Sequence, residues 1–282
     1  MNCIVSEDSV KNEGVTLNVT LQVPDGIVIA SDSLLTLTQP ISQRRINVPM
    51  VCPKCKEHVE LKDVEVPSVP VPSSTFPYAQ KLFSIKKRFG LAVYGAAFVN
   101  SRSIYNHVTE LNAKLAQSDK LESVRDQILD YFADQIKLDL SKSGQSIDLF
   151  QDDWWPFGFQ LAGFSSDGAT DPVARVYWLK MGKKSQWEQV KNPALCTGDT
   201  TVVTRLWQQG IMGANISAFS LQDAIDYAKF LIRTTADFQR FSGSLPVVGG
   251  EIDIALVTNR GGFRWIEQKE LYRILEKEES NV

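Results

Sequence analysis

Residues 16–33, TLNVTLQVPDGIVIASDS, contain two strand-forming runs on either side of a turn signal. The first run alternates in polarity from Thr16, and the second, GIVIAS, is rich in β-branched residues. Pro24-Asp25-Gly26 joins them, and this composition between two such runs is typical of a tight turn. The stretch therefore predicts a buried β-hairpin, and it raises the question whether Thr16 has a chemical role.

Strand and helix patterns follow in blocks along the rest of the chain. A second hairpin is predicted at KLFSI and FGLAVYGAA (81–97), and a helix from about 121 to 140, where apolar residues recur every four positions. Later strands and helices are predicted, in order, at FGFQLAGFSS, ARVYWLKM, ALCTG, TTVVTRLWQQG, LQDAIDYAKFLIRTTADF, EIDIALVTN and GFRWIEQ. Such segregated blocks favour an α+β fold, with two sheets packed face to face and helices outside, over a doubly wound parallel sheet.

Composition restricts the class of protein. The chain has 282 residues, 43% of them hydrophobic, and a formal net charge of -3, so charge implies affinity for neither nucleic acid nor an anionic membrane. No apolar run reaches the roughly 18 residues that a membrane span needs, and residues 1–15 lack the basic start and apolar middle of a signal peptide. We therefore predict a cytoplasmic protein without a membrane partner.

Residues from about 39 to 80 differ in composition from the rest of the chain. They are rich in proline, valine and charge, and four prolines between 67 and 77 exclude a regular helix. We interpret this segment as an insertion into a single domain that spans residues 16–282, preceded by an extension or propeptide at residues 1–15.

The insertion contains a possible half-site for zinc. Cys52-Pro-Lys-Cys55 followed by His58 resembles half of a zinc ribbon, which needs a fourth ligand. Candidates for that ligand are Cys3, Cys196, His107 or a group from a neighbouring subunit. The alternative is a pair of reduced cysteines in a loop, and we predict no metal site and no cofactor.

Five of these blocks resemble, in order, the successive blocks of proteasome β subunits and related bacterial peptidases of the N-terminal-nucleophile hydrolase class. The blocks are TLNVTLQVPDGIVIASDS, KLFSIKKRFGLAVYGAA, FQLAGFSSDG, ALCTGD and EIDIALVTNRGGFRWI. The resemblance covers residues 14–268 apart from the insertion. It implies a four-layer αββα sandwich, self-assembly into rings or stacks, peptides or unfolded proteins as substrates, and an ATPase as a candidate partner.

The resemblance also implies roles for particular residues. Thr16 lies ten positions before Gly26, which matches the place of the nucleophile at the start of its strand. The remaining implied residues are an aspartate, a lysine, a glycine whose N–H forms the oxyanion hole, and two supporting hydroxyls: Asp32, Lys81, Gly95, Thr197 and Ser242. Each of them also has an ordinary structural interpretation, such as a strand residue, a turn cap, a solvated charge or close packing.

An N-terminal threonine hydrolyses a peptide bond with its hydroxyl as nucleophile and its own α-amine as base. The amine must be neutral, whereas a free α-amino group with a pKa of about 7.7–8.0 is mostly protonated at pH 7. A neighbouring lysine cation lowers that pKa, and an aspartate holds the lysine in place. If this chain is a threonine peptidase, it must be cleaved before Thr16, because only that cleavage frees the α-amine that acts as the base.

Two positions depart from the pattern of the resembled family. Val15 stands where a glycine usually precedes the nucleophile, and Gln239 stands at the spacing of an aspartate that steadies the amine. Two alternatives follow: a non-catalytic ring or scaffold subunit that keeps residues 1–15, and an amidase that acts on a small amide.

Overall fold

In a computed structural model of the chain, the described residues are 4–5, 16–40, 49–51, 55, 58–60, 70–118, 120–165, 172–208, 214–242 and 246–270. The chain divides into two units, the first made of Met1–Leu35 and Phe76–Val282, the second of Thr36–Thr75. Elements are numbered in chain order, and β10 (Phe98–Val99) and β11 (Arg102–Ser103) form a short antiparallel pair of their own. Within the described ranges, no helix has both the length and the apolar content that crossing a bilayer requires.

The first unit contains two large sheets. The first sheet consists, in spatial order, of β1 (Ile4–Val5), β15 (Ala194–Gly198), β2 (Leu17–Val23), β3 (Gly26–Ser31), β16 (Asp253–Thr258) and β17 (Gly262–Glu267). The second consists of β14 (Gln186–Gln189), β13 (Val173–Met181), β12 (Phe157–Ser165), β9 (Phe89–Gly95) and β8 (Leu82–Ile85). Neighbouring strands are antiparallel except for β1, which runs parallel to β15. The two predicted hairpins are thus β2–β3 and β8–β9.

Helices cover the outer faces of both sheets. α1 (Ile104–Lys114) and α2 (Leu121–Lys142) share a core with the second sheet, and α3 (Thr201–Gln208) and α4 (Leu221–Ser242) share one with the first. A third core contains residues from both sheets and lies between them. The predicted α+β class and the four-layer αββα order are therefore confirmed.

Alternation along the central strands explains this layering. Ile27 and Ile29 of β3 belong to the core between the sheets, whereas Val28 and Ala30 belong to the core beneath the helices. Side chains of a strand point to opposite faces in turn, so a strand with apolar residues at every position is buried on both sides. β14 escaped prediction because its four side chains are all exposed and form no alternating pattern.

The second unit contains one short antiparallel pair and most of another two-stranded sheet. β5 (Pro49–Val51) pairs antiparallel with β6 (His58–Glu60), and β4 (Leu35–Pro40) pairs with β7 (Pro70–Phe76). No helix occurs among its described residues, in agreement with the prolines. The proposed division into an extension, one domain and an insertion stays a prediction.

Phe132 offers a test of the helix-covered core of the second sheet. Its ring is fully buried and contacts the rings of Phe157, Phe159 and His107. We expect Phe132→Ala to lower the free energy of unfolding by about 3–5 kcal/mol, because it removes apolar contacts and leaves a cavity. Urea denaturation measures this, with Leu138→Ala on the exposed side of the same helix as the control, expected to stay within about 0.5 kcal/mol. Equal effects of the two changes would contradict the packing described.

Candidate active site at one end of the two sheets

Strand ends that carry the predicted site residues converge at one end of the sandwich. In the first sheet Asn18, near the start of β2, pairs with Ser31 at the end of β3. In the second sheet the Val93 N–H donates to the Lys81 carbonyl at 2.8 Å, which joins the end of β9 to the start of β8. Asn18 Nδ2 donates to the Val93 carbonyl at 2.9 Å and links the two sheets. Thr16 therefore lies at the same end as the other predicted residues.

Asp32 is the centre of this cluster. Its Oδ1 accepts hydrogen bonds from the Leu17 N–H and from Lys81 Nζ, both at 3.0 Å. Its Oδ2 accepts from the Leu34 and Gly249 N–H groups at 3.1 and 3.0 Å. The carboxylate is completely buried, and these four donors use its acceptor capacity. Asp32 thereby joins the backbone beside Thr16 to the lysine of the second sheet.

Lys81 is buried together with Asp32. Its ammonium donates to Asp32 Oδ1 and to the Leu34 carbonyl, the latter at 2.6 Å. Burial lowers the pKa of Lys81 from its usual value, and the nearby Asp32 only partly opposes this. The Lys81 side chain is thus buried and held in place by Asp32 and the Leu34 carbonyl, rather than solvated as its sequence position alone would allow.

Thr16 directly precedes β2 and is 2% exposed. Its carbonyl accepts a hydrogen bond from the Asp199 N–H at 2.7 Å. Because side chains alternate along a strand, Thr16 shares the side of β2 that carries Asn18 and Thr20, which faces the second sheet. Strand alternation therefore puts the Thr16 side chain on the side of β2 that faces the second sheet.

Gly198 permits the close approach of β15 to Thr16. Its φ is +92°, and a Cβ there would lie 1.8 Å from the Thr16 carbonyl oxygen. We expect Gly198→Ala to lower the free energy of unfolding by about 3 kcal/mol or more, since strain and overlap with a backbone atom add. Gly144→Ala is the matched control, because Gly144 also has a positive φ, +69°, but open space around it. Thermal unfolding of both variants measures the difference, and similar midpoints would contradict the proposed overlap.

Gly95 ends β9, and its conformation requires glycine. Its φ is +88°, and a Cβ would lie 2.5 Å from the Pro156 carbonyl oxygen. Backbone conformation and packing thus account for this glycine, and an oxyanion role for its N–H stays a prediction.

Thr197, a predicted supporting residue, belongs to a buried polar network between the sheets. Its Oγ1 accepts from Gln160 Nε2 at 2.9 Å, and Gln160 Oε1 accepts from Thr20 Oγ1 at 2.5 Å. In the sheet Thr197 pairs with Asn18. The hydrogen bond between Thr197 and Gln160 therefore links β15, the strand beside Thr16, to β12 of the second sheet.

Gln239 binds the carboxylate of Asp199, the residue whose N–H donates to the Thr16 carbonyl. Its Nε2 donates to Asp199 Oδ2 at 2.7 Å, and its Oε1 accepts from the Val247 and Val248 N–H groups, both at 2.9 Å. Asp199 Oδ1 also accepts from the Thr201 N–H at the start of α3. Asp199 was missed by the sequence analysis, although an aspartate just before an apolar run is a helix-start signal.

Ser242, the second predicted supporting hydroxyl, lies at the end of α4. It is exposed, and its Oγ donates to the Gln239 carbonyl at 3.3 Å. Asp237, the other acidic residue near Gln239 in sequence, is exposed on the same helix. Of these two aspartates, Asp199 is the one whose backbone N–H bonds to the Thr16 carbonyl, whereas Asp237 is exposed on α4.

Within the zinc half-site, the structure describes the side chain of Cys55 alone, since Cys3 and Cys52 lie outside the described residues and His58 is described only as a backbone position in β6. Cys55 is exposed. Cys196 is buried in the core beneath α4, and both ring nitrogens of His107 bond to Tyr131 and Val99. Among the described residues, no group of three or more potential ligands could hold a metal ion.

Comparisons with known proteins place this geometry in context. No family model and no curated protein matches the chain. Among solved structures, the chain is similar to an Anbu (Gly-1) mutant from Hyphomicrobium sp. strain MC1, with 15% identity, a TM-score of 0.49 and 94% of each chain covered.

The predicted membership of the proteasome β-subunit family is therefore wrong. A likeness at 15% identity and a TM-score of 0.49 is too weak to assign a family. The five blocks that suggested it are mostly hairpins and strand ends of common composition. Such blocks report the αββα layering, which other sequences can also form, and the site must be judged on its own geometry.

Proposed function

We propose that the protein is a threonine-type endopeptidase whose nucleophile is Thr16, exposed as an N-terminal residue by cleavage of the Val15–Thr16 bond. One observation carries the proposal: Asp32 Oδ1 accepts hydrogen bonds both from the N–H that follows Thr16 and from Lys81 Nζ, each at 3.0 Å. The proposal takes Lys81 as a buried cation held at the start of β2, next to the threonine that precedes this strand.

Lys81 has two tasks in this proposal. Its charge disfavours a second positive charge nearby and so lowers the pKa of the freed α-amine of Thr16, which keeps the amine available as a base. It also stabilises the negative charge that develops as the Thr16 hydroxyl loses its proton. Asp32 is a positioning residue, because it holds Lys81 and the backbone of Leu17 together.

The reaction proceeds through an ester on Thr16. Oγ1 of Thr16 attacks the carbonyl carbon of the substrate peptide bond, and its proton passes to the α-amine. The N–H of Gly95 is the proposed donor to the resulting oxyanion. The amine then protonates the leaving nitrogen, the C–N bond breaks, and the base-assisted attack of water on the ester releases the second product and restores the hydroxyl.

The proposal is tested by exposing Thr16 on purpose. A recognition sequence for a processing protease, placed directly before Thr16, allows the preceding residues to be removed independently of self-cleavage. We expect peptide hydrolysis only after this cut, with the uncut chain as the matched control. A panel of peptides and small amides separates an endopeptidase from an amidase. A cut, folded protein that hydrolyses neither class would refute the proposal.

A second candidate function is that of a non-catalytic scaffold subunit that keeps its N-terminal residues. It is favoured by the pairing of β1 with β15, in which Ile4 and Val5 lie opposite Leu195 and Cys196. Residues that continue a sheet contribute to the fold, and their loss would expose an edge strand. Intact-mass measurement separates the two functions, since the scaffold retains residues 1–15. Self-assembly, an ATPase partner and a cytoplasmic location stay predictions under both.

A further inference from the structure

The side chain of Asn18 is a buried group that hydrogen-bonds to both large sheets. Asn18 lies in β2 and is completely buried, and its Nδ2 donates to the Val93 carbonyl of β9 at 2.9 Å. Its Oδ1 accepts from Ser31 Oγ of β3 at 2.6 Å. Because the Val93 carbonyl can only accept, the amide nitrogen must face it, and the amide oxygen then faces the serine hydroxyl. Both ends of the Asn18 amide therefore have a fixed partner.

In the first sheet, Asn18 adjoins the nucleophile and the carboxylate of the candidate site. It lies two residues after Thr16 and therefore on the same side of β2. Ser31 directly precedes Asp32, and Ser31 Oγ also bonds to the Asp32 carbonyl at 3.2 Å. The bond between Asn18 and Ser31 thus holds the start of β2 against the strand end that carries Asp32.

In the second sheet, Asn18 reaches the strand ends that carry the lysine and the oxyanion donor of the proposed reaction. Val93 lies two residues before Gly95 in β9. The Val93 N–H donates to the Lys81 carbonyl at 2.8 Å, while the Val93 carbonyl accepts from Asn18. One residue of β9 is therefore bonded to β2 on one side and to the residue that precedes β8 on the other.

Apolar contacts between the sheets do not fix such an alignment by themselves. The core between the sheets includes Ile29, Ala92 and Ala162. Hydrophobic attraction has no preferred direction, so it holds the sheets together but tolerates a small slide of one over the other. A hydrogen bond, in contrast, weakens steeply when its angle departs from linear. The bond from Asn18 to Val93 therefore opposes a slide of β2 along β9.

We propose that Asn18 is a positioning residue of the candidate active site, which sets the place of Thr16 relative to Lys81 and the Gly95 N–H. The inference rests on the proposed function, in which Thr16 is the nucleophile. A misplacement of about 1 Å costs a reaction about a hundredfold in rate, because the reacting atoms leave their productive geometry. An interaction that acts only in the transition state affects kcat and kcat/KM equally. Loss of the Asn18 bonds therefore lowers kcat and leaves KM nearly unchanged.

The experiment changes the hydrogen bonds of Asn18 in the protein cut before Thr16. Asn18→Leu removes both bonds and keeps a side chain of similar length. Asn18→Asp is the conservative variant, since its protonated carboxyl can still donate to the Val93 carbonyl, whereas its ionised form has no proton to donate. Ser31→Ala removes only the bond that orients the amide, and it serves as the test if Asn18→Leu fails to fold.

Tyr177→Phe is the matched control for the loss of a buried hydrogen bond. Tyr177 is 1% exposed, and its hydroxyl donates to Glu122 Oε1 of α2 at 3.0 Å. It belongs to the helix-covered core of the second sheet and not to the candidate site. The measurements are kcat and KM for a peptide substrate over a range of pH, and the hydrogen-exchange rate of the Val93 amide.

We expect Asn18→Leu to lower kcat by about a hundredfold with KM within about twofold of the native value. Ser31→Ala should lower kcat by about tenfold, since the donor remains but is less well oriented. For Asn18→Asp, kcat relative to the native protein should fall as pH rises and the introduced carboxyl loses its proton. The Val93 amide should exchange about tenfold faster in Asn18→Leu, because β9 opens more easily without its bond to β2. Tyr177→Phe should change neither kcat nor this exchange rate.

A folded Asn18→Leu or Ser31→Ala variant with the native kcat overturns the inference. A fall in kcat of the same size in Tyr177→Phe also overturns it, since the loss would then follow stability alone. If the native protein itself hydrolyses no peptide, the proposed function fails and the exchange rate decides: faster exchange at Val93 in Asn18→Leu supports the alignment of the strands by Asn18, and an unchanged rate excludes it.

Discussion

Thr16→Ala is expected to reduce peptide hydrolysis by about a thousandfold or more and to prevent self-cleavage before residue 16. The change removes the hydroxyl that forms the ester and keeps the backbone groups that bond to Asp199. The free energy of unfolding should fall by no more than about 1–2 kcal/mol, because the buried side chain loses one methyl and one hydroxyl group while the backbone bonds remain. Intact mass and a fluorogenic peptide assay measure the two effects.

Thr16→Ser is the control for that experiment, since it retains a hydroxyl at the same position. We expect it to retain measurable hydrolysis and cleavage. If Thr16→Ala cleaves and hydrolyses peptides like the native protein, the nucleophile lies elsewhere and the endopeptidase proposal is excluded.

Lys81→Met is expected to lower the free energy of unfolding by about 3–5 kcal/mol, because it leaves the Asp32 carboxylate buried without its cation. Asp32→Asn combined with Lys81→Met should be less destabilising than Lys81→Met alone, although both lack the proposed activity. Urea denaturation at neutral pH measures the difference between the single and double variants.

Lys114→Ala serves as the exposed counterpart, because Lys114 pairs with Glu110 on the surface of α1 with 61% of its side chain exposed. We expect it to change stability by less than about 1 kcal/mol. If Lys81→Met also lowers the free energy of unfolding by less than about 1 kcal/mol, the buried Asp32–Lys81 pair is not held as described.

Local pattern was sufficient to predict the central strands and the long helices, although it missed β1 and β14. β2 and β3 follow from alternation around a Pro-Asp-Gly turn, and α2 follows from apolar residues at a spacing of four, the first and last of which, Val124 and Ile136, are both buried. These signals are local because each strand or helix must bury one face whatever its partner is. The family assignment failed because the same signals recur in unrelated chains.

The site was predictable only where its residues adjoin strand ends. Asp32 and Lys81 flank the ends of β3 and β8, and the structure joins them by an ion pair. A second buried ion pair, between Asp253 of β16 and Lys269 after β17, carries no comparable signal, since a charged residue near a strand end is usually solvated. Their burial depends on the order of strands in the first sheet, which no local pattern contains.

The order of strands in the first sheet also affects how the protein is made. The β2–β3 hairpin leaves the ribosome early, but its two neighbours, β15 and β16, comprise residues 194–198 and 253–258. Both hydrogen-bonding edges of the nascent hairpin therefore remain open until most of the chain has been synthesised. Such nonlocal pairing slows folding and favours aggregation of the growing chain, so chaperone assistance should matter most before the last strands emerge.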